Sequence, residues 1–215
     1  MRPVKIGALT PTGVSPIWFN GNGLTSTGAA VAVQTTSTFD GLAHRVTLTA
    51  PVQATLAGIA FTIVGTNANG VAQTEVIAAG PASGATVSST QFFLTVETIQ
   101  PSATMATKVL SVGLLSEAVG YWVNLENTMS APMVMVGVTG TINYSVFQTP
   151  ANIFDASERD AVYTSIGMPI TGLAAATANA LAAGGESCRA IMLRVNSFTA
   201  GATITVYINN SGGGY

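Results

Sequence analysis

The sequence predicts an all-β chain of two β-sandwich or jelly-roll-like domains with short hairpins, and three observations carry that expectation. Short runs rich in Val, Ile, Thr and Phe recur along the 215 residues, each bounded by Gly, Pro or Asn. Between two such runs lie Thr66, Asn67, Ala68, Asn69 and Gly70, and Asn-Gly supplies the positive φ angles that a tight hairpin turn requires. Charged residues make up only 7% of the chain while hydrophobic ones reach 48%. A disordered chain needs the opposite balance, and a coiled coil needs many Glu, Lys, Arg and Leu residues.

Taken in order, residues 44–49 alternate, with Val46 and Leu48 on one face and Arg45, Thr47 and Thr49 on the other. Residues 59–64 and 71–77 form the two arms of the Asn69-Gly70 hairpin. Residues 91–99 read as one strand, setting Phe93, Thr95 and Glu97 against Phe92, Leu94 and Val96. Residues 108–115 form the next. In the second half the expected strands are 121–125, 133–138 and 141–147, the last two joined by a turn at Gly140. Residues 189–195 and 203–208 read as a closing hairpin through Asn196 to Gly201. Residues 171–183 are alanine-rich, with Leu173 and Leu181 as the only large apolar side chains. That segment reads either as a short helix or as an extended loop.

A domain boundary is expected near Ser116 to Gly120, dividing the chain into residues 1–116 and 117–215. Trp18, Phe19 and Asn20 in one half match Trp122, Val123 and Asn124 in the other, as an internal duplication would place them. A single large barrel is the alternative architecture.

Counting closes off much chemistry. Seven basic residues spread along a chain of net charge −2 form no basic stripe for a phosphate backbone, so no nucleic-acid partner is expected. A spanning helix needs about 20 apolar residues in sequence, and the runs at 109–115 and 132–138 fall far short of that, so no membrane span is expected. Arg2 and Lys5 are followed by Gly7, Thr10 and Pro11, so no secretory signal is read. A transmembrane barrel made by several chains remains open on strand pattern alone. One cysteine, Cys188, excludes an internal disulfide, and one histidine, His44, excludes zinc sites built on two or more histidines. No cofactor, metal or catalytic residue is expected.

The candidates that remain each have a plainer reading. His44 follows Asp40 by four residues, but a Ser-His-Asp triad needs geometry, and we read a turn at Asp40 and Gly41 before a strand that opens on a polar histidine. Gly80 to Gly84 has the wrong spacing for a nucleophile elbow. Asp155, Glu158 and Asp160 could contribute calcium ligands, yet Arg159 sits among them and a solvated loop accounts for them better. Gly65 to Gly70 and Gly23 to Gly28 carry the glycine spacing of a P-loop without its lysine, so both are read as turns. Arg189 beside Cys188 favours a thiolate, but no partner completes a catalytic pair.

Low charge also bears on assembly. Uncharged faces lose less solvation on burial than charged ones, and Thr-rich strands without charged guards invite pairing with another chain. A homo-oligomer or lattice subunit is therefore expected, with association insensitive to salt.

Several segments resemble small structural proteins of tailed bacteriophages. Residues 3–15 (PVKIGALTPTGVS) look like their opening strand and turn, and 140–149 (GTINYSVFQT) are similar to their Gly-Thr-Val-Thr-Tyr-Thr-Val type of strand. Residues 190–199 (AIMLRVNSFT) look like the strand before their final hairpin, here 202–209. Residues 64–77, with the turn at Gly80 and Pro81, resemble a Gly-Thr-x-x-x-Gly module of phage virion proteins. In that family an acidic segment commonly follows the second of these strands, whereas here Thr149, Pro150, Ala151 and Asn152 intervene before Asp155. The resemblance implies a non-enzymatic virion protein, at the head surface, the head-tail junction or the tail, whose partners are other copies of itself and other virion proteins. The alternative is a host-surface or glycan-binding adhesin using Trp18, Tyr121, Trp122 and Tyr215. A hydrolase using His44 is a third reading.

Overall fold

Alternating apolar side chains can be buried only if one face of each strand meets another sheet, and the chain satisfies this with strands alone. The structure, a computed structural model, describes residues 2–6, 19–22, 40–106, 108–125, 131–155, 167–185 and 188–209. Among them there is no helix, and the all-β expectation holds. The strands are β1 (Arg2–Ile6), β2 (Phe19–Asn22), β3 (Ala43–Thr49), β4 (Phe61–Thr66), β5 (Ala72–Ile77), β6 (Thr86–Phe93), β7 (Thr95–Pro101) and β8 (Val109–Val119). They continue as β9 (Val123–Asn124), β10 (Met133–Thr139), β11 (Ile142–Thr149), β12 (Met168–Pro169), β13 (Ala180–Ala183), β14 (Ala190–Phe198) and β15 (Thr203–Asn209). They fall into two compact units, Pro11–Ala118 and Met1–Thr10 with Val119–Tyr215.

In the unit Pro11–Ala118, β5, β4 and β7 form one antiparallel sheet, while β8 pairs with β2 and is followed across its own sheet by β3 and β6. Val46 and Leu48 of β3, Phe61 and Ile63 of β4, and Leu110, Val112 and Leu114 of β8 meet in a single core. The Asn69-Gly70 hairpin forms as expected, with Thr66 opposite Ala72 and Gly70 at φ 75°. Its turn is organised by Asn67, whose carbonyl accepts the Gly70 N–H (2.9 Å) and whose side-chain oxygen accepts those of Asn69 (2.9 Å) and Val71 (3.1 Å). Gly80 is held by its N–H to the Ile59 carbonyl (2.8 Å), and a Cβ there would lie 2.5 Å from the Phe61 ring and 2.7 Å from the Leu56 carbonyl. Only glycine lets the chain pass so close to that ring.

The expected single strand at 91–99 is in fact two. It breaks at Leu94, β6 pairing with β3 and β7 with β4. Phe93, Val96 and Ile99 are all buried, a set that unbroken alternation cannot place on one face. The bend at Leu94 changes the parity once. A β-bulge changes it again, because β4 pairs Val64 with Thr98 and Gly65 with Val96, leaving Glu97 as the extra residue. A second irregularity lies at residues 89–91 of β6, which loop out opposite Val46. Its exposed backbone is met by Glu75 of β5, whose carboxylate accepts the Thr90 N–H (2.7 Å), the Thr90 hydroxyl (2.8 Å) and the Gln91 N–H (2.8 Å).

In the other unit, β1, β15, β10 and β13 form one sheet in that order, and β12, β11 and β14 lie in another with β9 on β14. The expected closing hairpin is not formed. β14 pairs with β11 and β15 pairs with β10, so both short connections, at 140–141 and 199–202, carry the chain from one sheet to the other. The two corners run side by side: Thr139 lies opposite Thr203 with hydroxyls 2.7 Å apart, and the Thr199 N–H reaches the Thr141 carbonyl at 2.9 Å. Gly140 and Gly201 turn them at φ 75° and 81°. Strand alternation and a Gly-containing connection are common to hairpins and corners, so the local pattern does not separate them.

Residues 171–183 are neither helix nor loop throughout. Ala176 exchanges backbone hydrogen bonds with Tyr144 (2.8 and 2.9 Å), and Ala180–Ala183 form the edge strand β13 on β10. Alanine's helix propensity, worth a few tenths of a kcal/mol per residue, is overridden because the neighbouring strands offer these backbone groups partners and the segment has no apolar stripe to bury as a helix.

Candidate interaction surface

His44 is wholly buried, and so is the side chain of Asp40. Imidazole Nδ1 lies 2.9 Å from the Leu115 carbonyl oxygen, and Nε2 lies 3.0 and 3.2 Å from the two carboxylate oxygens of Asp40. A carbonyl only accepts, so Nδ1 carries a proton. Asp40 also accepts the Leu42 N–H at 3.0 Å, closing the turn at Gly41. The turn stands where the sequence placed it, but the histidine is a buried strut between β8 and the start of β3 rather than an ordinary polar side chain. With both ring nitrogens engaged, none is left to activate a serine hydroxyl.

The other singled-out residues are likewise structural where they are described. Cys188 is buried, its thiol donates to the Ala190 carbonyl (3.2 Å), and burial pushes the thiol up to about 11. At neutral pH it is protonated and a poor nucleophile. Asp155 ends a turn in which its N–H donates to the Asn152 carbonyl (3.0 Å), while Glu158, Arg159 and Asp160 lie outside the described residues. Gly65 abuts the Thr95 carbonyl at the bulge and Gly70 makes the hairpin turn, so that glycine pair cradles its own backbone; Gly23 to Gly28 lie outside the described residues. Ser83, within the Gly80 to Gly84 stretch, accepts the Gln53 N–H at 2.8 Å. Of the four aromatics considered for a glycan site, Trp122 is buried, Tyr121 is exposed, and Trp18 and Tyr215 lie outside the described residues. Among the described residues no three His, Cys, Asp or Glu side chains are grouped to hold a metal ion, and no helix is long and apolar enough to cross a membrane.

What the sheet presents outward is different in kind. Along β10 the alternation buries Val134 and Val136 and exposes Met133 and Met135. Register sets Leu181 of β13 beside Met135 on one side and Tyr207 of β15 on the other, so one row crosses three strands. Met135, at the middle of the sheet, is 44% exposed, and Leu181, on the edge strand, 64%, large values for apolar side chains. The next row along the strands is Gly137 and Thr205, continued by register to Lys5 of β1. No residue of β10, β13 or β15 is charged. Where β10 runs past β13, the Asn179 side chain accepts the Val138 N–H (2.8 Å). Sequence reading flagged Met133 to Val138 as an apolar strand but missed Leu181 and Tyr207, because only strand register places them in one row.

The chain matches no protein-family model and no curated protein sequence. Among solved structures it is similar to the PBSX exported protein XepA, at 11% identity and a TM-score of 0.27, over 95% of this chain and 85% of that one. It is also similar to the major capsid protein P2 from bacteriophage PM2, at 8% identity and a TM-score of 0.22, over 97% of each chain. Likeness at that level carries no functional argument.

Proposed function

We propose that this chain is a non-enzymatic structural protein of a bacteriophage virion, acting through subunit contacts at the head surface, the head-tail junction or the tail. The observation that carries the reading is the sheet of β1, β15, β10 and β13, whose last three strands hold no charged residue and expose Met135 and Leu181, with Lys5 of β1 beside Thr205 by register. A solvent-facing sheet normally carries charge to stay soluble and to block edge pairing. A face with so little of it suits burial against neighbours. The phage-like segments at 3–15, 64–77, 140–149 and 190–199 supply the kind of assembly. Homo-oligomerisation and contacts with other virion proteins belong to the same reading. The direct test is imaging of intact particles from the phage that encodes the chain. Density for this subunit in the particle is the expected result, and its absence from purified, infectious particles would end the proposal.

Division into two domains near residue 116 is part of the proposal, supported by the two compact units. Two separable transitions are expected when the full chain is heated in a calorimeter. A single transition with equal calorimetric and van't Hoff enthalpies would remove the division.

A further inference from the structure

We infer that Asn69 is a site of spontaneous covalent modification, deamidation through a succinimide, and that the hairpin it belongs to holds the reaction back. The inference stands apart from the virion reading, since it uses only the chemistry and geometry of one turn.

The chemistry is local. In an Asn-Gly pair the backbone nitrogen of glycine can attack the side-chain carbonyl carbon of asparagine, because glycine has no Cβ to obstruct the approach. A C–N bond forms, and the side-chain nitrogen leaves as ammonia, taking up the proton of the glycine N–H. A five-membered succinimide ring remains. Water adds to either of its two carbonyls and reopens it, giving aspartate or isoaspartate. The chain holds three Asn-Gly pairs, at 20–21, 22–23 and 69–70, and the third stands at the tip of the β4–β5 hairpin.

Geometry sets the rate there. The Gly70 N–H donates to the Asn67 carbonyl at 2.9 Å, so Ala68 and Asn69 are the central residues of a β-turn. Neither has a positive φ and no peptide bond is cis, which makes the turn type I. Closing the ring needs the Gly70 nitrogen in plane with Cβ and Cγ of Asn69, a rotation of about 120° from the ψ that a type I turn gives this position. Several bonds oppose that rotation. The Asn67 N–H donates to the Val71 carbonyl (2.9 Å), and the Asn67 side-chain oxygen accepts the N–H groups of Asn69 (2.9 Å) and Val71 (3.1 Å). Asn67 is buried, so water competes poorly for these bonds. The attacking nitrogen is thus engaged as a donor and turned away from its target, and the reaction waits on local opening of the turn.

The product makes that opening permanent. Isoaspartate carries the main chain through its own Cβ, which lengthens a loop held between the bonds of Asn67 and Val71. Those bonds cannot all reform across the longer loop, so the modification records that the hairpin has opened.

Peptide mapping by mass spectrometry, with aspartate and isoaspartate separated by chromatography, tests the inference on the full chain at mildly alkaline pH. In concentrated urea Asn69 is expected to convert to a mixture of the two products, the mark of a succinimide, since direct hydrolysis yields aspartate alone. In native buffer conversion is expected to be at least about tenfold slower, because two or more hydrogen bonds must first open. Asn67→Ala keeps the carbonyl that holds Gly70 but removes the side-chain bonds to Asn69 and Val71. Folded, it is expected to react at least about fivefold faster than the natural chain, and in urea at the same rate. Amide hydrogen exchange at Gly70 of the natural chain gives a check that does not depend on the variant folding, and slow exchange is expected. No isoaspartate at residue 69 in urea overturns the site. Equal rates with and without urea, or free exchange at Gly70, overturn the hairpin as its guard. A folded Asn67→Ala chain that reacts no faster than the natural one overturns the part assigned to Asn67.

Discussion

Phe61→Ala is expected to lower the unfolding free energy of the Pro11–Ala118 unit by about 3–5 kcal/mol, the range for truncating a fully buried phenylalanine. Its ring is wholly buried in the core that joins β3, β4 and β8. The neighbours cannot close over the gap. On one side the ring meets the Gly80 backbone, itself held by the Ile59 carbonyl at 2.8 Å, and a hydrogen-bonded main chain does not move in to fill a void. Urea titration followed by tryptophan or far-ultraviolet signals measures the loss. A cost below about 1.5 kcal/mol, the range of a volume-conserving swap, would show that the site collapses freely and that this packing account is wrong.

Asp40→Ala is expected to cost about the same, 3–5 kcal/mol, for a different reason. Removing one member of a buried, hydrogen-bonded pair leaves polar groups unsatisfied, at about 1–3 kcal/mol each. Here the imidazole of His44 would keep its Leu115 partner on Nδ1 and lose the carboxylate on Nε2, and the Leu42 N–H would lose its acceptor as well. Asp40→Asn retains an oxygen that accepts one of those bonds and should cost clearly less. Equal losses in the two variants would mean that the pair contributes through shape alone.

How much of this was legible depends on the range over which each feature is decided. The hairpin at residues 66–70 was readable because its requirements are local: a positive φ at Gly70 and a short side chain at Asn67 that bonds its own turn. The inward face of β3, Val46 and Leu48, was readable because period two is a property of the strand alone, although Thr47 on its other face is buried as well. The break at Leu94 was not. Residues 91–99 contain no Gly, Pro or Asn to mark a break, and only the competition between β3 and β4 for partners divides them. Gly140 was read as a turn and is one; the connection through Gly201 was misread as a hairpin for the same reason, since a short connection between two strands looks alike whether they pair or part.

The candidate site follows the same division. His44 and Asp40 were found by spacing, but their burial depends on the Leu115 carbonyl, which lies 71 residues along the chain from His44. Met135 stood out as part of an apolar strand. Leu181 did not, because it lies in an alanine-rich stretch whose strand character arises only on pairing with β10. The sequence by itself determined the all-β class, the near absence of charge and the turn at Asn69-Gly70, since composition, alternation and backbone preference act over a few residues. Tertiary structure alone decided which strands pair, where the parity changes, and that Leu181, Met135 and Tyr207 share one exposed row, because backbone hydrogen bonds between strands carry no side-chain signature.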